Sequence, residues 1–153
     1  MRSSLTQAKG QEGFTLIELL IVVLILGILA AVGISAVLGR RVVATDVAAK
    51  QLVNTSEHAA VIYSLNSVNG FIGMTPAGLK SIEPSINTVA NGQTVLAAVT
   101  PSGSGYTLAA VSGVGDTFNV VSTNGVLART CTVGAGNGNT VTNTGGGCTN
   151  GTW

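Results

Sequence analysis

Charged side chains are scarce in this chain, and one charge-free stretch, residues 19–39, is apolar almost throughout. Only 8% of the 153 residues are Asp, Glu, Lys or Arg, and the formal net charge is +1. The basic residues form no stripe, so the composition does not indicate bulk electrostatic binding to nucleic acid. We therefore predict no direct nucleic-acid site.

Side chains that carry catalysis or bind metals are also few. His58 is the single histidine, and beyond residue 66 only Glu83 and Asp116 are acidic. These residues are too few to predict a metal site, a calcium cluster or a catalytic carboxylate pair. No phosphate-binding loop or nucleophile motif occurs. We therefore predict no catalytic residue, no metal, no cofactor and no enzymatic activity.

The apolar stretch has the length of a membrane span. Twenty residues of helix extend about 30 Å, which is the thickness of the hydrocarbon core of a bilayer. A secretory signal peptide is the alternative, because small residues near Ala30 resemble a cleavage site. Glu18 lies at the front edge of the stretch, and a carboxylate in a membrane is costly. A signal peptide gains nothing from such an acid.

The two cysteines bear on the compartment. Cys131 and Cys148 predict a disulfide in an exported domain, whereas in a cytosolic protein they would be free thiols. The apolar stretch favours export. Basic residues flank the stretch on both sides, so they do not settle its orientation. The short leader and the cysteines place the C-terminus outside.

The front of the apolar stretch resembles a known signal. The matching residues are Gly13-Phe14-Thr15-Leu16-Ile17-Glu18 and the apolar run that follows them. They resemble the class III signal of bacterial type IV pilins and pilin-like proteins. The resemblance implies that a prepilin peptidase cuts after Gly13 and that the new N-terminus, Phe14, is methylated. It also implies that the helix leaves the cytoplasmic membrane for a homopolymer through a pilus assembly platform.

Glu18 acquires a candidate partner once cleavage frees the amine of Phe14. The two groups are four residues apart, about 6 Å along a helix. Three arrangements of Glu18 are compared. It pairs with its own N-terminus, it pairs with the N-terminus of a neighbouring subunit, or it extends unpaired to the membrane surface. Pairing with the neighbour removes a cost of about 3 kcal/mol for an unpaired acid in the bilayer. The resemblance supports this arrangement, so Glu18 is the predicted assembly residue.

Three glycines, Gly27, Gly33 and Gly39, recur along the apolar helix. Each lowers helix stability by about 1 kcal/mol relative to alanine. Their spacing is not the four-residue spacing of close helix dimers. They are either small contacts in a packed helix bundle or points where the helix unwinds in a filament.

Helical periodicity continues over residues 40–66 as an amphipathic pattern, with Asp46 and Lys50 as an i,i+4 ion pair. Its predicted apolar face comprises Ala44, Val47, Ala48, Leu52, Thr55, Ala59 and Ile62. The predicted segments are a removable leader (1–13), a membrane and filament-core helix (14–39), its amphipathic continuation (40–66) and a globular head (67–153).

The head is predicted to contain a short helix and a small antiparallel sheet. Thr75-Pro76 indicates a helix over 76–82. Strand-like runs cover 94–99, 106–111, 117–122 and 126–133, and Asn124-Gly125 is the strongest hairpin signal. The fold class is therefore α+β, a long N-terminal helix packed on a sheet with a C-terminal disulfide loop.

Two features near the C-terminus keep two interpretations each. The Cys131–Cys148 loop is a staple that contributes about 3 kcal/mol, or it is a surface for contacts with other subunits. Trp153 packs back on the head or forms a surface contact.

The resemblance implies a structural subunit of a type IV pilus, and we expect a major one. Its fibre would serve adhesion, twitching motility or DNA uptake. The precursor would lie in the cytoplasmic membrane, and the assembled subunit would be extracellular. A pseudopilin of a type II secretion system or a minor pilin is the alternative, although the disulfide and the lack of an acidic calcium cluster favour a pilin. A membrane-anchored binding protein that does not polymerise is the third hypothesis.

Overall fold

A computed structural model describes residues 14–134 and 147–153, with side chains described throughout these ranges except at 34–39. The chain divides into two compact units, Met1–Leu38 and Gly39–Trp153. Helix α1, Leu16–Asn66, contributes to both units and is continuous through Gly27 and Gly33. Its leucine and alanine content favours helix, and it contains no proline.

The second unit adds a short helix and one sheet to its part of α1. Helix α2 spans Pro76–Ile82. The strands are β1 (Val95–Ser102), β2 (Gly105–Val111), β3 (Thr117–Thr123) and β4 (Val126–Thr132). They pair antiparallel in the order β1-β2-β3-β4. This meander and the helices confirm the predicted α+β class.

Local signals explain two of these elements. The Thr75 hydroxyl accepts the Gly78 N–H at 3.1 Å, and Pro76 opens α2 in the first turn, where no backbone donor is needed. Asn124 and Gly125 have φ angles of 51° and 80°, which are the left-handed values that a tight two-residue hairpin requires. Both predictions from sequence are confirmed.

Strand β1 is longer than predicted. The predicted run over 94–99 ends too early, because Pro101 lies in the strand and pairs with Tyr106. Proline removes a backbone donor, but β1 is at the edge of the sheet, and no strand of the described residues pairs with its outer side. The connection to β2 is therefore only Gly103 and Ser104.

The core of the second unit takes a different face of α1 from the predicted one. The buried positions of this helix are Asp46, Ala49, Val53, Ser56, Ala59 and Ala60. They join a cluster with sheet residues such as Leu108, Phe118 and Val120. Of the predicted face only Ala59 is buried, and Val47 and Ile62 are exposed. Most of these buried side chains are small and two of them are polar, so hydrophobicity along the sequence does not indicate this face of the helix.

The predicted Asp46–Lys50 ion pair is also wrong. Neither oxygen of Asp46 has a hydrogen-bond partner in the described part of the chain. The Lys50 Nζ instead donates to the Gly147 carbonyl at 2.9 Å and lies 5.1 Å from the centre of the Phe118 ring. Lys50 therefore holds the C-terminal segment on the head.

Candidate functional site

The candidate assembly site lies at the start of α1, where Thr15 and Glu18 cap the helix reciprocally. The Thr15 N–H donates to Glu18 Oε2 at 3.0 Å, and the Thr15 hydroxyl donates to the same oxygen at 2.9 Å. The Glu18 N–H donates to Thr15 Oγ1 at 3.3 Å. This arrangement is a capping box, which satisfies two backbone donors at a helix start. The acid at the front of the apolar stretch thus has a partner within its own chain.

The capping box engages only one oxygen of the Glu18 carboxylate. Both Thr15 donors converge on Oε2, whereas Oε1 accepts no hydrogen bond from any described residue. Glu18 is exposed, and negative charge is favoured at a helix N-terminus by the helix dipole. The side chain is therefore held in a fixed position with one oxygen open to a second donor.

Thr15 was not among the predicted site residues, although the structure shows it to be the hydrogen-bond partner of Glu18. The signal was present, because a threonine followed three residues later by a glutamate ahead of an apolar run is the sequence pattern of a capping box. Thr15 positions the carboxylate, and Glu18 remains the group that faces outward.

We expect Thr15→Val to weaken the start of α1 by about 1 kcal/mol, because valine keeps the branched shape but provides no hydroxyl. Hydrogen exchange of the Glu18 amide in detergent micelles measures this as an increase of about fivefold. Thr15→Ser keeps the hydroxyl and is the matched control, with little change expected. Equal exchange in the valine and serine variants would contradict the capping box.

Helix α1 carries a membrane-length apolar surface next to this site. The 18 residues of Leu16–Gly33 are long and apolar enough to cross a membrane, and none of them is buried within the chain. Phe14, just before the helix, is 83% exposed. An exposed apolar surface of this extent is normally covered by lipid or protein.

Gly13, Gly27 and Gly33 are the other residues predicted to be important in this region. Gly13 lies outside the described residues. At Gly27 and Gly33, an added Cβ would meet nothing within 4 Å, so neither glycine is required by a close contact within one chain. Packing in a bundle and unwinding in a filament therefore both remain predictions for these two positions.

The predicted disulfide between Cys131 and Cys148 is confirmed, and it anchors the C-terminal segment to β4. The Cys131 N–H donates to the Gly151 carbonyl at 2.8 Å. Most of the loop that the disulfide closes lies outside the described residues. The segment after Cys148 thus pairs with an edge strand that would otherwise be open, which protects that edge from foreign strands.

Trp153 packs back on the head, which confirms the first of the two interpretations given for this residue. Its ring meets the Phe118 ring edge-on at 5.9 Å, and its Nε1–H donates to the Thr130 carbonyl at 3.0 Å. Lys50 and Arg129 lie 5.8 Å and 5.5 Å from the centre of the same ring, within the range of cation–π attraction.

Replacing both cysteines with serine is expected to lower the free energy of unfolding by about 3 kcal/mol, because the unfolded chain loses a cross-link that closes a loop of this length. Urea unfolding without reductant measures the difference between the double variant and the natural chain. Adding reductant should destabilise the natural chain alone. A double variant of unchanged stability would contradict the anchoring role of the disulfide.

Comparison with known proteins identifies the N-terminal region. A family model, the prokaryotic N-terminal methylation motif, matches residues 8–34. This motif marks a class III signal peptide, and the exposed apolar helix fits it. The motif supports a type IV pilin-like or pseudopilin protein. Searches of curated proteins and of solved structures found no match to the chain.

The motif carries implications for the whole chain. It implies processing by a prepilin peptidase and assembly into filaments, and it supports membrane anchoring of the precursor. It points to a structural, non-enzymatic class of protein. Among the described residues, no three His, Cys, Asp or Glu side chains come together as a metal site.

Proposed function

We propose that this chain is a major structural subunit of a type IV pilus, whose fibre serves adhesion, twitching motility or DNA uptake. A single observation is the main support for this proposal. The methylation motif coincides with the unburied apolar segment Leu16–Gly33 of α1, whose single acid, Glu18, is held by Thr15 with one oxygen open.

The proposed maturation creates the donor for that oxygen. A prepilin peptidase cuts after Gly13, where the absence of a side chain allows close approach to the scissile bond. The freed amine of Phe14 is then methylated and stays positively charged. The Thr15 N–H remains a peptide donor after this cut, so the capping box survives processing.

We propose that Glu18 Oε1 accepts the Phe14 amine of a neighbouring subunit. The capping box supports this arrangement, because it fixes Oε2 toward its own chain and leaves Oε1 free. An acid in the membrane costs about 3 kcal/mol, and a cation from the next subunit offsets that cost only when the two helices meet in register. Assembly and register are thereby coupled.

The second unit would form the outer surface of the fibre, with the C-terminus outside the cytoplasmic membrane before assembly. The disulfide supports an oxidising location for this unit. Val43, Val47 and Ile62 of α1 are apolar and exposed within the single chain, and they are available for contacts between subunits.

A pseudopilin or a minor pilin is the second candidate, because the motif at residues 8–34 is compatible with both. Abundance separates them from a major subunit. When filaments are sheared from cells and the amount of each protein in the fraction is measured, this chain should be the main component. If the chain is only a trace component, and cells still form filaments after deletion of its gene, a minor pilin is favoured. If the chain is absent from sheared filaments, a pseudopilin or an anchored binding protein is favoured.

A further inference from the structure

Asp46 is a buried acid on α1. Its relative exposure is 0%, and neither side-chain oxygen has a partner in the described part of the chain. A buried polar group that lacks a partner is costly, and an ionised one is more so. The Asp46 carboxyl therefore needs a hydrogen-bond donor, and a proton on one of the two carboxyls would provide it.

A second buried acid faces Asp46 from the connection between β2 and β3. Asp116 is 1% exposed, and its Oδ1 accepts the Gly134 N–H at 2.7 Å. Its backbone N–H donates to the hydroxyl of Ser112, which is also buried. The Asp116 carboxyl thus accepts a hydrogen bond from a backbone N–H, whereas no described residue donates to Asp46.

The titratable groups that face Asp46 among the described residues are Asp116 and Lys50. Lys50 lies on the same helix, and its ammonium group donates to the Gly147 carbonyl. The Ser112 hydroxyl is the remaining polar neighbour of the Asp46 carboxyl. Among the described residues, one cation engaged elsewhere lies near two buried carboxyls, so ionisation of both would place two like charges that repel each other in the interior.

We propose that Asp46 carries a proton in weakly acidic surroundings, that its O–H is shared with the Asp116 carboxylate, and that losing this proton loosens the β2–β3 connection from α1. The proton supplies the missing donor between two acceptors. The loss of the proton should also affect Gly134, because Asp116 lies in the connection and its carboxyl accepts the Gly134 N–H. The inference holds whether or not the chain forms fibres.

The direction of the pH effect follows from the pKa of Asp46. Burial, and then the charge of Asp116, raise this pKa from 3.8 to about 6. The folded chain therefore binds more protons than the unfolded chain between these values. The resulting stability is fully present below about pH 3.8 and is lost as the pH rises through about 6. Asp46 therefore contributes more to the free energy of unfolding of the second unit in acid than at neutral pH.

Carbon NMR of the Asp carboxyl groups in the full chain, held in detergent micelles, tests the proposal. The Asp46 signal should titrate near pH 6, and Asp116→Asn should move that midpoint toward 3.8 while keeping an acceptor for Gly134. Asp46→Asn keeps the shape and removes the titration. Glu57→Gln is the matched control, because Glu57 is an acid of the same helix that pairs with Arg129 at 3.0 Å.

Hydrogen exchange of the Gly134 amide, divided by that of the core amide Val120, gives the structural readout. Between about pH 5 and about pH 8, this ratio should rise at least about tenfold in the natural chain and stay level in Asp46→Asn, since one pKa unit corresponds to tenfold. Titration of Asp46 near 3.8 would overturn the proposal. So would calcium ions that slow exchange at Gly134 in the natural chain and leave Asp46→Asn unaffected, because they would indicate a cation site.

Discussion

Cells that carry Glu18→Ala are expected to insert the chain into the membrane normally and to assemble no filaments. Alanine favours helix and removes the acid from the apolar surface, so insertion loses a cost of about 3 kcal/mol. Assembly fails because the amine of the next subunit finds no carboxylate. Membrane fractionation and electron microscopy of sheared material measure the two effects separately.

Three companion variants assign the defect to the charge of Glu18. Glu18→Gln keeps an acceptor for Thr15 and removes the charge, so it should also lack filaments. Thr15→Val loses the cap and keeps the charge, so filaments should persist in reduced amount. Ile17→Ala truncates a neighbouring side chain that is 64% exposed and should assemble. Filaments formed by Glu18→Gln would contradict pairing of Glu18 with a positive amine.

The largest loss of stability in the second unit is expected from Phe118→Ala, at about 3–5 kcal/mol. Phe118 is 0% exposed, and its register partners on the two adjacent strands are Ala110 and Cys131. Neither small Ala110 nor the disulfide-bonded Cys131 is able to fill the space that the ring leaves. Trp153 and Lys50 also lose the ring that both contact.

Urea unfolding followed by circular dichroism measures this loss without using Trp153 as the probe. Val126→Ala, at a β4 position that is 71% exposed, is the matched control and should change stability by no more than about 0.5 kcal/mol. A loss below about 1 kcal/mol for Phe118→Ala would mean that the cavity closes, and would contradict a core centred on this ring.

Local chemistry made several elements predictable from sequence. Thr75-Pro76 fixes the start of α2 through a side-chain cap and a proline angle, and Asn124-Gly125 fixes a hairpin because few other residues adopt its backbone angles. The apolar run and the residues before it predicted the class III signal that the motif marks. The single pair of cysteines predicted its own disulfide.

Contacts between distant segments were not predictable in the same way. Hydrophobicity placed Val47 and Ile62 inside, whereas the sheet packs on a face that contains Ala49 and Ser56. Hydrophobicity alone does not indicate which helix residues are buried, because small and polar side chains such as Ala49 and Ser56 occupy the buried face. Asp46 and Asp116 are far apart in sequence, and no spacing rule joins them.

The mass of the N-terminal peptide from sheared surface filaments is the decisive measurement for a major pilin. We expect a peptide that begins at Phe14, carries one added methyl group and comes from the main protein of the fibre. Filaments whose subunits retain residues 1–13, or cells whose membranes contain the chain while their filaments lack it, would show that the chain is not such a subunit.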